Sequence, residues 1–169
     1  LPVAGLHRAV VRGPGQFAAA LKKAPAGMLL SLGVIDGRGI WRADLDRALE
    51  ILRRAVDSIG HERVQIAPSC SLMHIPIDLE EETQLDGEIR SWLAFAKQKL
   101  NEVTTLARLA MADHANDNAF LDNQKAIESR RTSALIHKPA VKARVSEVRE
   151  PDFDRQNAFA IRQSIQLEK

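Results

Sequence analysis

Val64-Gln-Ile-Ala-Pro-Ser-Cys-Ser-Leu-Met-His-Ile-Pro76 is the stretch on which the reading of the whole chain turns. Val64, Ile66 and Ala67 form a short apolar run of the kind that makes a buried strand. Pro68 ends ladder pairing, because it has no N–H to donate. The residues that follow are small, polar or ionisable: Ser69, Cys70, Ser71 and His74. Pro76 stiffens the exit. A buried strand that opens into such a loop is the usual place for a ligand in α/β architecture.

Upstream, Met28 to Ile35 is a continuous apolar run broken only by Ser31 and Gly33. Its length and flanks predict a strand buried on both faces. Asp36-Gly37-Arg38-Gly39 follows as a loop. Asp44 caps the next predicted helix, Leu45, Leu49, Leu52, Val56 and Ile59 give it one apolar stripe, and Gly60 ends it. Further back, Val3 to Val11 reads as a strand, Gly13-Pro14-Gly15 as a turn, and Gln16 to Lys23 as a short helix with Phe17 and Leu21 on one face.

Downstream of Val64–Ala67 a loop of about 17 residues runs to Gln84, a length that tends to be functional inside a compact domain. Asp86 caps what reads as the longest helix. Its stripe is Ile89, Leu93, Ala96, Leu100, Val103, Ala107 and Ala110, widened by Trp92 and Phe95. The character changes from Ala112. Asn116 to Arg131 reads as a more polar helix with Phe120, Gln124 and Ile127 on one side. Ser129 to Lys138 includes a loop, and Pro139 begins a helix with Val141, Val145 and Val148 inward. Pro151 breaks it, and Asp152 to Lys169 is a polar amphipathic stretch carrying Phe153, Phe159, Ile161 and Ile165.

Strand, helix, strand, helix, strand, helix is a run of βα units, whose crossovers demand a parallel sheet. Three strands leave two open edges, and a parallel sheet needs its faces covered. The fold class is therefore read as α/β, either a small three-strand domain or the last three βα units of a (βα)8 TIM barrel with extra C-terminal helices. Leu1 in place of an initiator methionine favours the incomplete barrel and a processed or partial chain.

The chain has 169 residues, 45% apolar and 27% charged, which suits one soluble globular domain or a large part of one. A net charge of +2 is too small to argue for nucleic acid or a membrane surface. No apolar run approaches the roughly 18 residues of a membrane span. The one cysteine rules out an internal disulfide and fits a reducing, cytoplasmic setting.

Cys70 reads equally as a thiolate ligand or nucleophile and as a small residue at a tight strand end. A zinc site needs three or four ligands. His74 lies four residues on, while His61, His114 and His137 show no ligand spacing. No third group can be named to orient a Cys70/His74 pair. Asp36, Arg38, Trp41 and Arg42 cluster after the second strand. Arg38 suits a bidentate carboxylate or phosphate contact and Asp36 a substrate amine, or the loop is shaped by a salt bridge with Gly37 and Gly39 supplying unusual backbone angles. The acidic run Glu80 to Glu88 and the basic run Arg130 to Arg144 read as solvated faces.

Two stretches resemble signatures of the cobalamin-independent methionine synthase family: Leu30-Ser-Leu-Gly-Val-Ile-Asp-Gly-Arg-Gly-Ile-Trp-Arg42 and Ala67-Pro-Ser-Cys-Ser-Leu-Met-His-Ile-Pro76, continued by Asp78-Leu-Glu and Thr83. Ser91-Trp-Leu-Ala-Phe-Ala-Lys-Gln-Lys-Leu100, Arg130-Arg-Thr-Ser and His137-Lys-Pro-Ala-Val141 are similar to it as well, and Gly39 departs from the expected asparagine. The resemblance implies two facing (βα)8 barrels, with residues 1–111 closing the N-terminal barrel, 112–150 as additional helices and 151–169 beginning the connector to a C-terminal catalytic barrel. It also implies transfer of a methyl group from 5-methyltetrahydrofolate polyglutamate to homocysteine, without cobalamin, with zinc held by ligands outside this segment. No catalytic residue and no metal ligand is expected here. Asp36, Arg38, Trp41, Ser69, Cys70, Ser71 and His74 are expected to shape the substrate cleft or the domain interface. The implied partners are the remainder of the same polypeptide and the two substrates. The alternative is a non-catalytic truncated relative serving as a binding or scaffold module.

Overall fold

The computed structural model describes residues 3–111, 116–155 and 157–168. Leu1, Ala112, His114 and Lys169, which figure in the sequence reading, lie outside them. The chain forms two compact units, Leu1–Arg131 and Thr132–Lys169.

In the first unit the order is β1 (Gly5–Arg8), α1 (Phe17–Lys23), β2 (Leu29–Ile35), α2 (Leu45–Ile59), β3 (Val64–Pro68), α3 (Gly87–Ser91), α4 (Ala96–Met111) and α5 (Asn118–Thr132). The strands form one parallel sheet in the order β1-β2-β3. The α/β class and the parallel sheet are as expected. Pro68 is the last paired residue of β3, opposite Ile35 after a register shift.

The strand register sorts the side chains into two sets. Leu6, Leu30 and Val64 are partners across the sheet, as are Arg8, Leu32 and Ile66; between these rows lies His7, Ser31 and Gln65. Successive residues of a strand point to opposite faces. Leu30, Leu32 and Val34 are buried in one apolar cluster with Phe17 of α1, Leu49 and Leu52 of α2, Leu106 and Leu109 of α4 and Phe120 of α5. All four helices therefore share one face of the sheet. On the other face His7 and Gln65 are exposed and Ser31 is half-buried. β2 is thus half-open on this face only at Ser31; from Leu32 to Ile35 every residue is buried, as its apolar run predicts, with the Ser69 and Ala9 backbone covering Gly33.

Helix α2 begins and ends as expected. The Asp44 carboxylate accepts from the Arg47 amide, and Gly60 takes a positive φ of 89° where its N–H still reaches the Val56 carbonyl. The first strand is shorter than Val3–Val11, because the backbone turns at Ala9, whose carbonyl accepts from both Arg12 and Gly13 amides. The single long helix expected from Asp86 is instead α3 and α4, separated by Trp92–Phe95. Trp92, Leu93, Ala94 and Phe95 are all buried, and four consecutive buried residues cannot share one helical face. Trp92 closes the last turn of α3, and the chain then bridges to the segment around Trp41: Arg42 N donates to Trp92 O and Ala94 N to Ile40 O, both at 2.8 Å.

The expected stripe on α4 is also out of phase. Leu100 is 55% exposed, whereas Lys99 is fully buried and Glu102 nearly so, in line with Leu106 and Leu109. On α5 the inward residues are Phe120, Asn123 and Ala126 rather than Phe120, Gln124 and Ile127. The long loop before Gln84 contains two short 3-10 turns, Leu72–His74 and Leu79–Glu81.

The second unit holds α6 (Pro139–Glu147), a 3-10 turn at Glu150–Phe153 and α7 (Phe159–Leu167). Pro139 opens α6 at its first position, where a missing N–H costs nothing. Val141 and Val145, expected inward, are exposed, as are Phe153, Phe159, Ile161 and Ile165.

Candidate functional site

The C-terminal ends of the three parallel strands lie side by side, so the loops that leave them gather at one rim. The loop after β1 brings Arg12, the loop after β2 brings Asp36 to Trp41, and the loop after β3 brings Ser69 to His74. Arg12 Nη2 meets both Asp36 carboxylate oxygens, at 2.8 and 3.1 Å, and Asp36 Oδ1 also accepts from the Arg38 amide at 3.0 Å. Burial pushes the Asp36 carboxyl up, but the Arg38 amide together with the hydrogen bond and charge of Arg12 outweighs it, and the pKa lies below its ordinary value. Asp36 is therefore an anion already matched by Arg12.

Ser69 is buried where β3 ends. Its amide donates to Ile35 O at 2.7 Å, its Oγ accepts from Gly37 N at 3.1 Å, and its carbonyl lies 3.3 Å from His7 Nε2. His7 Nδ1 is 2.9 Å from Ser31 Oγ, so this histidine ties β1 to β2 and to the start of the loop that leaves β3. Gly37 has to be glycine for space: a Cβ there would stand 2.7 Å from Cys70 O and 3.0 Å from Cys70 Sγ. The Cys70 thiol donates to the Ser71 carbonyl at 3.6 Å. Ser71 caps the 3-10 turn that carries the exposed His74, accepting from Met73 N at 3.4 Å. Trp41, 42% exposed, lies under the Arg130 guanidinium at 4.0 Å. The Arg38 side chain is exposed beside this group.

The structure thus brings Asp36, Ser69 and Cys70 together around Gly37, with Arg38 adjoining, and sets Ser71 and His74 one turn further out. No group of three His, Cys, Asp or Glu side chains able to hold a metal converges among the described residues. The donors among the described residues do not fit a zinc ion. No described helix is long and apolar enough to cross a membrane.

Arg12, His7, Lys99, Glu102 and Asn123 were not singled out by sequence. His7 lies within, and Arg12 just after, the stretch Val3–Val11 read as one strand, which hid the turn at Ala9. Lys99 and Glu102, three apart, carried a usable signal in their i,i+3 spacing of opposite charges. The apolar period in the next phase outweighed it.

An α/β chain whose strand ends present loops at a common rim belongs to the broad class of βα-unit scaffolds that carry a site in those loops. Sequence comparison narrows the class. Residues 1–60 match the family described as "Cobalamin-independent synthase, N-terminal domain". The chain is 47% identical over 171 residues to the 5-methyltetrahydropteroyltriglutamate–homocysteine methyltransferase of Parvibaculum lavamentivorans, an alignment covering 100% of this chain and 22% of that relative. It is 45% identical over 170 residues to the protein of the same name in Rhodopseudomonas palustris, again 100% and 22%. With that of Xylella fastidiosa (strain M23) it shares 46% over 157 residues, 93% of this chain and 21% of the relative. By sequence, then, the chain is similar to the cobalamin-independent methionine synthases. It spans about a fifth of the length of the curated relatives it matches.

Proposed function

We propose that this chain is the closing part of the N-terminal (βα)8 barrel of a methyltransferase that moves the methyl group of a 5-methyltetrahydrofolate polyglutamate to homocysteine. One observation carries this reading: α1, α2, α4 and α5 all pack on a single face of a parallel sheet. Open doubly wound sheets place helices on both faces, whereas a barrel keeps every helix outside and turns the other face inward. The row His7, Ser31, Gln65 is then a layer of the barrel interior, and β1 and β3 are edges that pair with further strands of the same polypeptide. Residues 1–111 form the βα units, 112–150 the added helices, and 151–169 the start of a connector toward a catalytic barrel.

In this reading the chain supplies scaffold and rim. Zinc, which makes the homocysteine sulfur a thiolate, is held by residues beyond it, and cobalamin takes no part. Arg12 holds Asp36, Gly37 admits the Cys70 backbone, and Arg38, Trp41 and His74 face the cleft between the two barrels. The one cysteine, which carries no disulfide, suits a cytoplasmic enzyme.

Replacing the matched 171 residues of the Parvibaculum lavamentivorans methyltransferase with this chain tests the proposal. The graft is expected to form methionine from homocysteine and the methylated folate. A soluble, folded graft without methyl transfer would overturn the reading in favour of a non-catalytic scaffold module.

A further inference from the structure

The connection between β2 and α2 is held by side chains from two later helices. Lys99 Nζ, at the foot of α4, donates to Trp41 O at 2.8 Å. One turn on, Glu102 Oε1 accepts from Ala43 N at 2.8 Å. From α5, Asn123 uses both ends of its amide: Nδ2 donates to Ala43 O at 2.8 Å and Oδ1 accepts from Leu45 N at 3.2 Å. With the Arg42–Trp92 and Ala94–Ile40 backbone bonds already described, six polar backbone groups between Ile40 and Leu45 find partners in α4, α5 or the Trp92–Ala94 stretch.

This arrangement is an expensive way to fill a core. The Lys99 side chain is 0% exposed and that of Glu102 9%, their charged ends are 4.0 Å apart, and Glu102 Oε2 makes no hydrogen bond. Burial pushes Glu102 up, against the charges of Lys99 and Arg42 and the Ala43 amide, and pushes Lys99 down, against Glu102 and Asp36. Apolar side chains at two such positions are commonly as stabilising as a buried pair, or more so. What apolar side chains cannot do is bind the carbonyl of Trp41 and the amide of Ala43, groups that need partners wherever they are buried.

We propose that Lys99, Glu102 and Asn123 are positioning residues that set the rim loop, holding the Trp41 backbone so that its ring, stacked on Arg130, and the neighbouring Asp36–Arg12 pair keep one arrangement at the strand ends. The consequence for substrate rests on the reading under Proposed function. There the latch fixes the cleft wall for the folate and touches no reacting atom, so losing it weakens folate binding rather than the methyl-transfer step.

Two measurements on Lys99→Met, Glu102→Ala, Asn123→Ala and the conservative Glu102→Gln decide this. In the 169-residue chain, hydrogen exchange at the Arg42, Ala43 and Leu45 amides is expected to quicken about tenfold or more in the first three variants, the scale of one lost buried hydrogen bond, and much less in Glu102→Gln. The amides in the middle of α2 should keep their rates. In the graft, KM for the folate should rise by a similar factor with kcat per active site little changed, and Glu102→Gln should restore it. Unchanged exchange at the three amides overturns the latch. A fall in active enzyme with KM within about twofold of the parent, less than the cost of any buried hydrogen bond, overturns its role at the cleft. An inactive parent graft overturns the functional reading instead, and the exchange rates then decide the latch alone.

Discussion

The two faces of the sheet are made from alternate residues of the same strands, and they differ in chemistry and in cover. Leu30, Leu32 and Val34 share a core with four helices, while His7, Ser31 and Gln65 form a polar row between the apolar ones. Burying an aliphatic side chain fully contributes roughly 1.5–3 kcal/mol, so the helix face supplies most of what holds the unit together. The polar face gives specificity of pairing, through His7 to Ser31 and to the Ser69 carbonyl. Helices on one face and a polar row on the other are what the proposed barrel requires of its wall.

The sharpest way to break this contrast is to truncate one residue on each face. Leu32→Ala should cost about 2–5 kcal/mol in chemical denaturation, and Gln65→Ala no more than about 0.5 kcal/mol; comparable losses would mean the faces are not different in kind. Next in size is Gly33→Ala. A Cβ at Gly33 would stand 2.7 Å from Ser69 Cα and 3.1 Å from Ala9 Cα, backbone on both sides, so about 1–3 kcal/mol is expected. Gly15→Ala, which meets nothing within 4 Å, is the matched control and should be near neutral.

The smallest effect lies at the start of α4. Hydrogen bonds from Lys97, Gln98 and the Glu80 amide hold the Asp78 carboxyl down to about 2. A carboxylate held below its unfolded value of about 3.9 contributes stability that is complete above that value and is lost as pH falls toward 2. The denaturation midpoint of Asp78→Asn should therefore lie below the parent's at neutral pH and converge with it across that acid window. Asp78 pairs with an exposed lysine, so the gap is expected to be small.

The strands, the α2 helix with its caps and the likeness to the cobalamin-independent methionine synthases were legible in the sequence because each rests on local chemistry: apolar runs, Asp44 and Gly60 at fixed places, short motifs. The break at Trp92–Phe95 was not, since it depends on pairing with Ile40 and Arg42, far earlier in the chain. The spacing of Lys99 and Glu102 marks a pair but not its burial, which rests on a distant partner. A lysine counts as surface until something specific waits for it inside, and the Trp41 carbonyl is placed there only by the fold. The gathering of Asp36, Ser69 and Cys70 around Gly37 follows from strand order; the pairing of Asp36 with Arg12 rather than a nearer arginine does not.

The central claim is that the polar face of this sheet is an interior. Gln65→Cys in a Cys70→Ser background puts one reporter thiol on that face. In the free 169-residue chain it should react with a soluble maleimide at the rate of an exposed thiol, and in the methyltransferase graft it should be protected until the protein is unfolded. Equal reactivity in both would contradict the claim.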